Sequence, residues 1–399
     1  MKESVTQLTN IINDRFEYYL VSMDEAIIAS GRKTRKMQEL EDSEQFEARR
    51  ELLFIEEVAN RKREEEATEE HSYQDKVEKL FHDQLILDME KLLKDPAEIM
   101  KSTLKFDPIV GKLLDILYTE SCSISRLVAC IEQLPWLDKS IINFIRQPKY
   151  RRLDSHGHPL IIKTLRAALS FIGIESLRKL IPVLIAKHFV PVKNDYIPDI
   201  HKHLWLYTIG TGNVARILAP SMGIKEHIGF NLGLFSTIGR AAIAQMYIKM
   251  FDLKLRDHVI AARKKEDRNL AKALINIAPS SKYLVLFWKK FALKATVEMM
   301  ASLNMRWLMI TPGYDDYTRI RQTTYKYIEQ NKLHPLTSLL FKSHGFMQFK
   351  LLQSSQLITK EVSQLYLRNY GITAQDVSLL SNTNLTGLEL RIAEKIEGE

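Results

Sequence analysis

Trp205-Leu-Tyr-Thr-Ile-Gly-Thr-Gly-Asn-Val-Ala-Arg-Ile-Leu-Ala219 leads through a polar turn into Gly229-Phe-Asn-Leu-Gly-Leu-Phe-Ser-Thr-Ile-Gly239. Apolar residues recur there at three- and four-residue steps, the period of a helix. Gly210, Thr211 and Gly212 lack the third glycine and the preceding strand that a phosphate loop needs, so they read as small residues that let two helices approach closely. The weakly charged run from Ile228 to Tyr247 is interrupted by Arg240 and holds Asn231, Ser236, Thr237 and Gln245. It reads as part of a buried helix pair, not as a membrane span.

Upstream lie three more apolar units: Val110-Gly-Lys-Leu-Leu-Asp-Ile-Leu117, Ser123-Ile-Ser-Arg-Leu-Val-Ala-Cys-Ile-Glu-Gln-Leu-Pro-Trp-Leu137 and Ala167-Ala-Leu-Ser-Phe-Ile-Gly-Ile-Glu-Ser-Leu-Arg-Lys-Leu180. Ser123 is placed to cap the second, its hydroxyl accepting from an unpaired first-turn amide. In order and spacing these units and the pair above resemble an HDOD domain, the HD-related output domain, over residues 100–310. Arg146-Gln147-Pro148 stands where that family commonly has an Asn-Ser pair, and Ile172-Gly173 where it has Leu-Gly, so the resemblance is to a divergent member. It implies an all-α, HD-like multi-helical domain with a regulatory output or adaptor role in bacterial signal transduction. It further places Tyr207 where an HD-type metal-dependent hydrolase has its first His, and Ser236-Thr237 where it has His-Asp. A di-metal site needs imidazole and carboxylate donors, which these three residues do not supply. The His-Gly-Tyr-Pro signature of the catalytic cyclic-dinucleotide branch is also missing. The expectation is therefore a chain that is not an enzyme, with degenerate metal-ligand positions Tyr207, Ser236 and Thr237, no metal and no cofactor.

The rest of the sequence agrees with helices. Of 399 residues 45% are hydrophobic, enough for two or three cored domains, and the 15 glycines and 12 prolines are few. Cys122 and Cys130 fit neither a zinc knuckle nor a redox pair and read as buried thiols of a cytoplasmic protein. The first residues lack the apolar core of a signal peptide, and no membrane insertion is expected.

Charge divides the chain. Residues 1–99 carry 15 Lys/Arg against 25 Asp/Glu, while the remainder carries 42 against 24. From Arg32 to Asp95 there is no glycine or proline, and strong helix formers crowd the run. Residues 1–99 are read as an acidic helical arm, 100–310 as the HDOD-like domain and 311–399 as a helical C-terminal extension. Helices are expected near 108–119, 124–133, 138–146, 159–171, 175–188 with a break or kink at Pro182, 201–219, 226–236 and 238–250. The extension adds 317–330, 335–353 and 360–368, with 382–399 as a partly frayed helix.

Two histidine pairs, His156 with His158 and His201 with His203, are the candidates for substitute ligands. Residues two apart diverge on a helix and neither pair has a carboxylate or thiol at ligand spacing, so both read as locally bonded histidines. Basic clusters are more telling. Lys149, Arg151 and Arg152, and Arg263, Lys264, Lys265 and Arg268, together with Lys249, Lys254, Arg256, Lys289 and Lys290, could form a surface for a protein partner. The alternative is a nucleotide messenger or nucleic acid bound by its phosphates. A third possibility is internal, the acidic arm held on the basic body by a salt-sensitive latch. Coiled-coil self-association of the arm is a further option, and the sequence leaves the oligomeric state open.

Overall fold

Side-chain caps set where many of the helices begin. Ser123 Oγ accepts from Arg126 N at 3.4 Å, Thr164 Oγ1 from Ala167 N at 3.3 Å and Asp267 Oδ1 from Leu270 N at 2.9 Å. Each satisfies an amide that the first helical turn leaves unpaired. The fold is that of a computed structural model, which describes residues 2–39, 54–94, 107–148, 162–194, 196–321, 333–388 and 390. Among these the protein is all-α.

The first helices are α1 (Lys2–Val21), α2 (Met23–Ala29) and the long α3 (Phe54–Leu93). Then come α4 (Ile109–Leu117), α5 (Ile124–Ile131), α6 (Pro135–Ile145), α7 (Leu165–Ile172) and α8 (Ile174–Phe189). The opening stretch forms α9 (Ile200–Leu218) and α10 (Glu226–Phe235), followed by α11 (Ile238–Lys264) and α12 (Arg268–Ile275). Helix α13 (Ser281–Phe287) passes through a π-helical turn, Trp288–Ala292, into α14 (Leu293–Ser302). Helices α15 (Thr311–Arg321), α16 (Pro335–Ser354), α17 (Lys360–Asn369) and α18 (Ala374–Ser381) complete the order.

Helix α9 is the axis of the molecule, touching α1, α8, α10, α16 and α18. Its closest neighbour is α10, where a Cβ on Gly233 would collide with the Thr211 carbonyl and one on Gly229 with Ala215 and Ala219. The small residues thus serve close helix packing, as their spacing suggests. Three expectations need correcting. Helix α8 runs unbroken through Pro182, and α11 extends to Lys264, well past residue 250. Residues 382–388 are not helical; Asn213 Nδ2 holds them on α9 by donating to the carbonyls of Leu385 at 2.8 Å and Gly387 at 3.0 Å.

Packing crosses the boundaries drawn at 99 and 310. Helix α1 buries Ile12, Phe16 and Leu20 among α9, α13, α16 and α17. Helix α3 lays Val77, Phe81, Leu85, Met89 and Leu93 on the body, touching α11 and α12. Ion pairs accompany this docking: Asp88 with Lys254, Glu90 with Lys290 at 2.6 Å, and on α1 Asp14 with Lys289 at 2.8 Å. Burying one large apolar side chain is worth about 1.5–3 kcal/mol, whereas an exposed ion pair is worth about 0–1 kcal/mol. Apolar burial therefore outweighs charge in seating α3, and the latch is not mainly electrostatic. Residues 40–53 of the expected arm lie outside the described residues.

Candidate functional site

Tyr207 is fully buried on α9, with burial holding its phenol protonated and its pKa well above the ordinary value. Its hydroxyl lies 2.5 Å from His344 Nδ1 on α16 and accepts from Gln348 Nε2 at 3.0 Å. Burial, then the Arg240 and Arg321 guanidiniums, drive the His344 pKa well below its usual range, so the imidazole is neutral. Gln348 Nε2 can only donate, so the phenol's own proton goes to Nδ1 of the neutral ring. Ser236 Oγ closes the end of α10 by donating to the Gly233 carbonyl at 2.6 Å. Thr237 Oγ1 shares a hydrogen bond of 2.7 Å with Thr208 Oγ1, whose own proton goes to the Leu204 carbonyl. By that count Thr237 donates to Thr208.

A polar core continues from Tyr207. Gln348 Oε1 accepts from Tyr366 at 2.5 Å, and the hydroxyls of Tyr366 and Tyr370 both lie 2.9 Å from Asn13 Oδ1 on α1. Beside it, Arg240 Nη2 and Nε donate to Glu17 at 2.5 and 3.2 Å. Burial works against the Arg240 charge, yet the Glu17 carboxylate outweighs it and raises the guanidinium pKa. The sequence flagged Arg240 as the charge interrupting an apolar run; Glu17, His344 and Gln348 carried no comparable signal. Of the four candidate histidines, His201 and His203 bond to backbone carbonyls. His201 Nδ1 lies 2.8 Å from the Pro191 carbonyl and His203 Nδ1 2.7 Å from that of Tyr19. His156 and His158 lie outside the described residues.

Of the basic candidates, Arg263, Lys264, Lys265 and Arg268 stand exposed at the corner between α11 and α12. Arg263 and Arg268, with Glu266, Asp267 and Lys272, line an open cleft of about 850 Å³ there. Lys264 and Lys265 do not line it, and Lys149, Arg151 and Arg152 lie outside the described residues. A second surface feature went unread in the sequence. The Asp115 carboxylate on α4 accepts from the backbone amides of Arg306 and Trp307 at 2.8 Å each and of Leu308 at 3.3 Å. That clamp leaves Trp307 63% and Met309 66% exposed, while Leu308 and Ile310 between and after them are fully buried.

Residues 105–283 match the HDOD domain. The chain carries an HDOD domain. The match contains α4 to α12 and therefore Tyr207, Ser236, Thr237 and the α11–α12 corner, whereas Trp307 lies beyond it. No curated protein matches the chain. Among solved structures, a provisionally named metal-dependent phosphohydrolase from Shewanella amazonensis is similar, at 14% identity and a TM-score of 0.41. The similarity covers 77% of this chain and 95% of that one.

With a neighbour so described, the expectation that the HDOD chain is not an enzyme no longer stands. What Tyr207, Ser236 and Thr237 establish is confined to their own positions. There the residues do not fit a metal: the phenol is held protonated in a hydrogen-bonded core, and both hydroxyl protons are engaged within the fold. Among the described residues no helix is long and apolar enough to cross a membrane.

Proposed function

We propose that this HDOD protein is a regulatory component of a signalling pathway, a helical platform that docks a protein partner. The observation that carries the reading is the loop of Trp307 and Met309. Exposed Trp and Met beside Arg306 are residue types enriched where proteins meet, and a few such anchors carry most of a binding energy. The three amides held by Asp115 fix the loop before binding, which lowers the entropic cost of ordering it. The partner that suits it presents an apolar pocket with a carboxylate at its rim for Arg306.

A photo-cross-linking amino acid in place of Trp307, in the cell of origin, is expected to give one discrete protein adduct. That adduct should be absent with the same probe at Leu379, another exposed apolar residue, and weakened by Asp115→Ala. A pattern shared by positions 307 and 379 would count against the platform.

A second reading rests on the cleft of about 850 Å³ at the α11–α12 corner. Arg263, Lys272 and Arg268 there suit a phosphate-bearing nucleotide or nucleic acid, and Glu266 and Asp267 on the same walls oppose one, so docking of a protein ranks first. Binding of a nucleotide or RNA that weakens with salt and disappears on charge reversal of Arg263, Lys264 and Lys265 would reverse that ranking.

A further inference from the structure

We infer that the outward face of α3 pairs with the same face of a second copy of this chain, antiparallel about Leu80. Tyr73, Leu80 and Leu87 are 41%, 70% and 54% exposed. They stand seven residues apart, so they follow one line along the helix, drifting by about 20° per step. The opposite side of α3, with Val77, Phe81, Leu85 and Met89, already faces the body. The same helix therefore cannot turn its outer stripe inward without surrendering its core. Further round the helix, beyond Lys76 and Asp83, Ile86 and Glu90 line an open groove of about 430 Å³ with the half-exposed Leu286 of α13, Lys289 and Lys290.

The occupant follows from symmetry. A two-fold interface needs a self-complementary surface. In an antiparallel pair centred on Leu80, Leu80 meets its own counterpart and Tyr73 meets Leu87 of the second copy. Lys76 and Asp83 flank the stripe on one side, both exposed and in no ion pair among the described residues. They sit four residues before and three after the centre, so Lys76 of each copy comes level with Asp83 of the other to within one residue, about 1.5 Å along the axis. A parallel, in-register pair would instead set Lys76 level with Lys76.

Sedimentation equilibrium of the full chain over a concentration series tests this. The wild type is expected to dimerise, and L80E/L87E to be monomeric with unchanged helical circular dichroism. D83K alone should weaken the dimer about tenfold, since two attractions become repulsions, and K76D/D83K should restore it. A wild type that stays monomeric, or a dimer indifferent to L80E/L87E, would overturn the inference. Equal weakening by D83K and K76D/D83K would overturn the antiparallel register. Should L80E/L87E disturb the fold, the charge swap, on residues exposed in the monomer, still decides.

Discussion

The Tyr118 hydroxyl donates to the Arg178 carbonyl at 2.7 Å, the acceptor that Pro182 leaves without its helical partner. In an α-helix the amide of residue 182 would bond the carbonyl of residue 178, and proline has no such amide. A side chain sixty residues earlier, just past the end of α4, supplies the missing proton, and Asn231 Nδ2 on α10 donates in turn to the Tyr118 hydroxyl at 2.7 Å. That is why α8 passes through Pro182 unbroken.

Tyr118→Phe should therefore cost more than loss of one ordinary hydrogen bond, because it strands a carbonyl whose own helical partner, the amide of residue 182, does not exist. About 1–3 kcal/mol of unfolding free energy is expected. In a Pro182→Ala background residue 182 regains its amide, so the same substitution should cost clearly less. Equal costs in the two backgrounds, measured by urea unfolding, would show that Arg178 finds its donor elsewhere.

Glu17 and Arg240 form an ion pair across α1 and α11 with both side chains at or below one-tenth exposed. Removing one partner leaves a buried charge uncompensated, at a cost of about 3–5 kcal/mol. Glu17→Gln should thus lower the melting temperature sharply, and Glu17→Leu with Arg240→Met should recover much of the loss. If the double variant is no more stable than Glu17→Gln, the pair is needed for more than charge balance.

These two relationships show what the sequence could and could not disclose. Short amphipathic helices such as Ile124–Ile131 and the cap at Ser123 were legible because period and capping are local. The unbroken α8 was not, since the group that compensates Pro182 is distant in sequence. Helix α1 was absorbed into an acidic arm by its net charge, although Ile12, Phe16, Tyr19 and Leu20 keep the three- and four-residue spacing of a core helix. The site divides in the same way. Tyr207, Ser236 and Thr237 could be placed by resemblance, but their partners His344 and Thr208 come from folding. Asp115 looked like one charge in an apolar helix, and nothing nearby announced that it would clamp three amides.

His82, His203 and His344 are buried, and burial is the first cause of the lowered pKa of each from 6.5. The folded state then binds fewer protons than the unfolded chain below that value. Stability is present above about pH 6.5 and is lost as pH falls, by up to about 1.4 kcal/mol per pH unit for each such histidine. Urea unfolding between pH 7 and pH 5 should show this slope. His344→Gln, which keeps an acceptor for Tyr207 and removes the titrating ring, should reduce it by close to one proton; an unchanged slope would mean that His344 is already charged in the fold.

The seat of α3 gives the last prediction, because charge and apolar burial foresee different behaviour there. Salt screens exposed ion pairs such as Glu90 with Lys290 within about 10 Å at 0.1 M ionic strength and more closely above it. It does not weaken the burial of Phe81, whose ring meets Phe251 of α11 edge-on at 5.4 Å between centroids. Amide exchange along residues 77–93 should accordingly be nearly the same at low and high salt. Phe81→Ala removes a buried ring, a loss of about 3–5 kcal/mol, and should raise exchange throughout that stretch while Lys290→Gln barely alters it. If salt and Lys290→Gln release the segment and Phe81→Ala does not, charge is what holds α3 on the body after all.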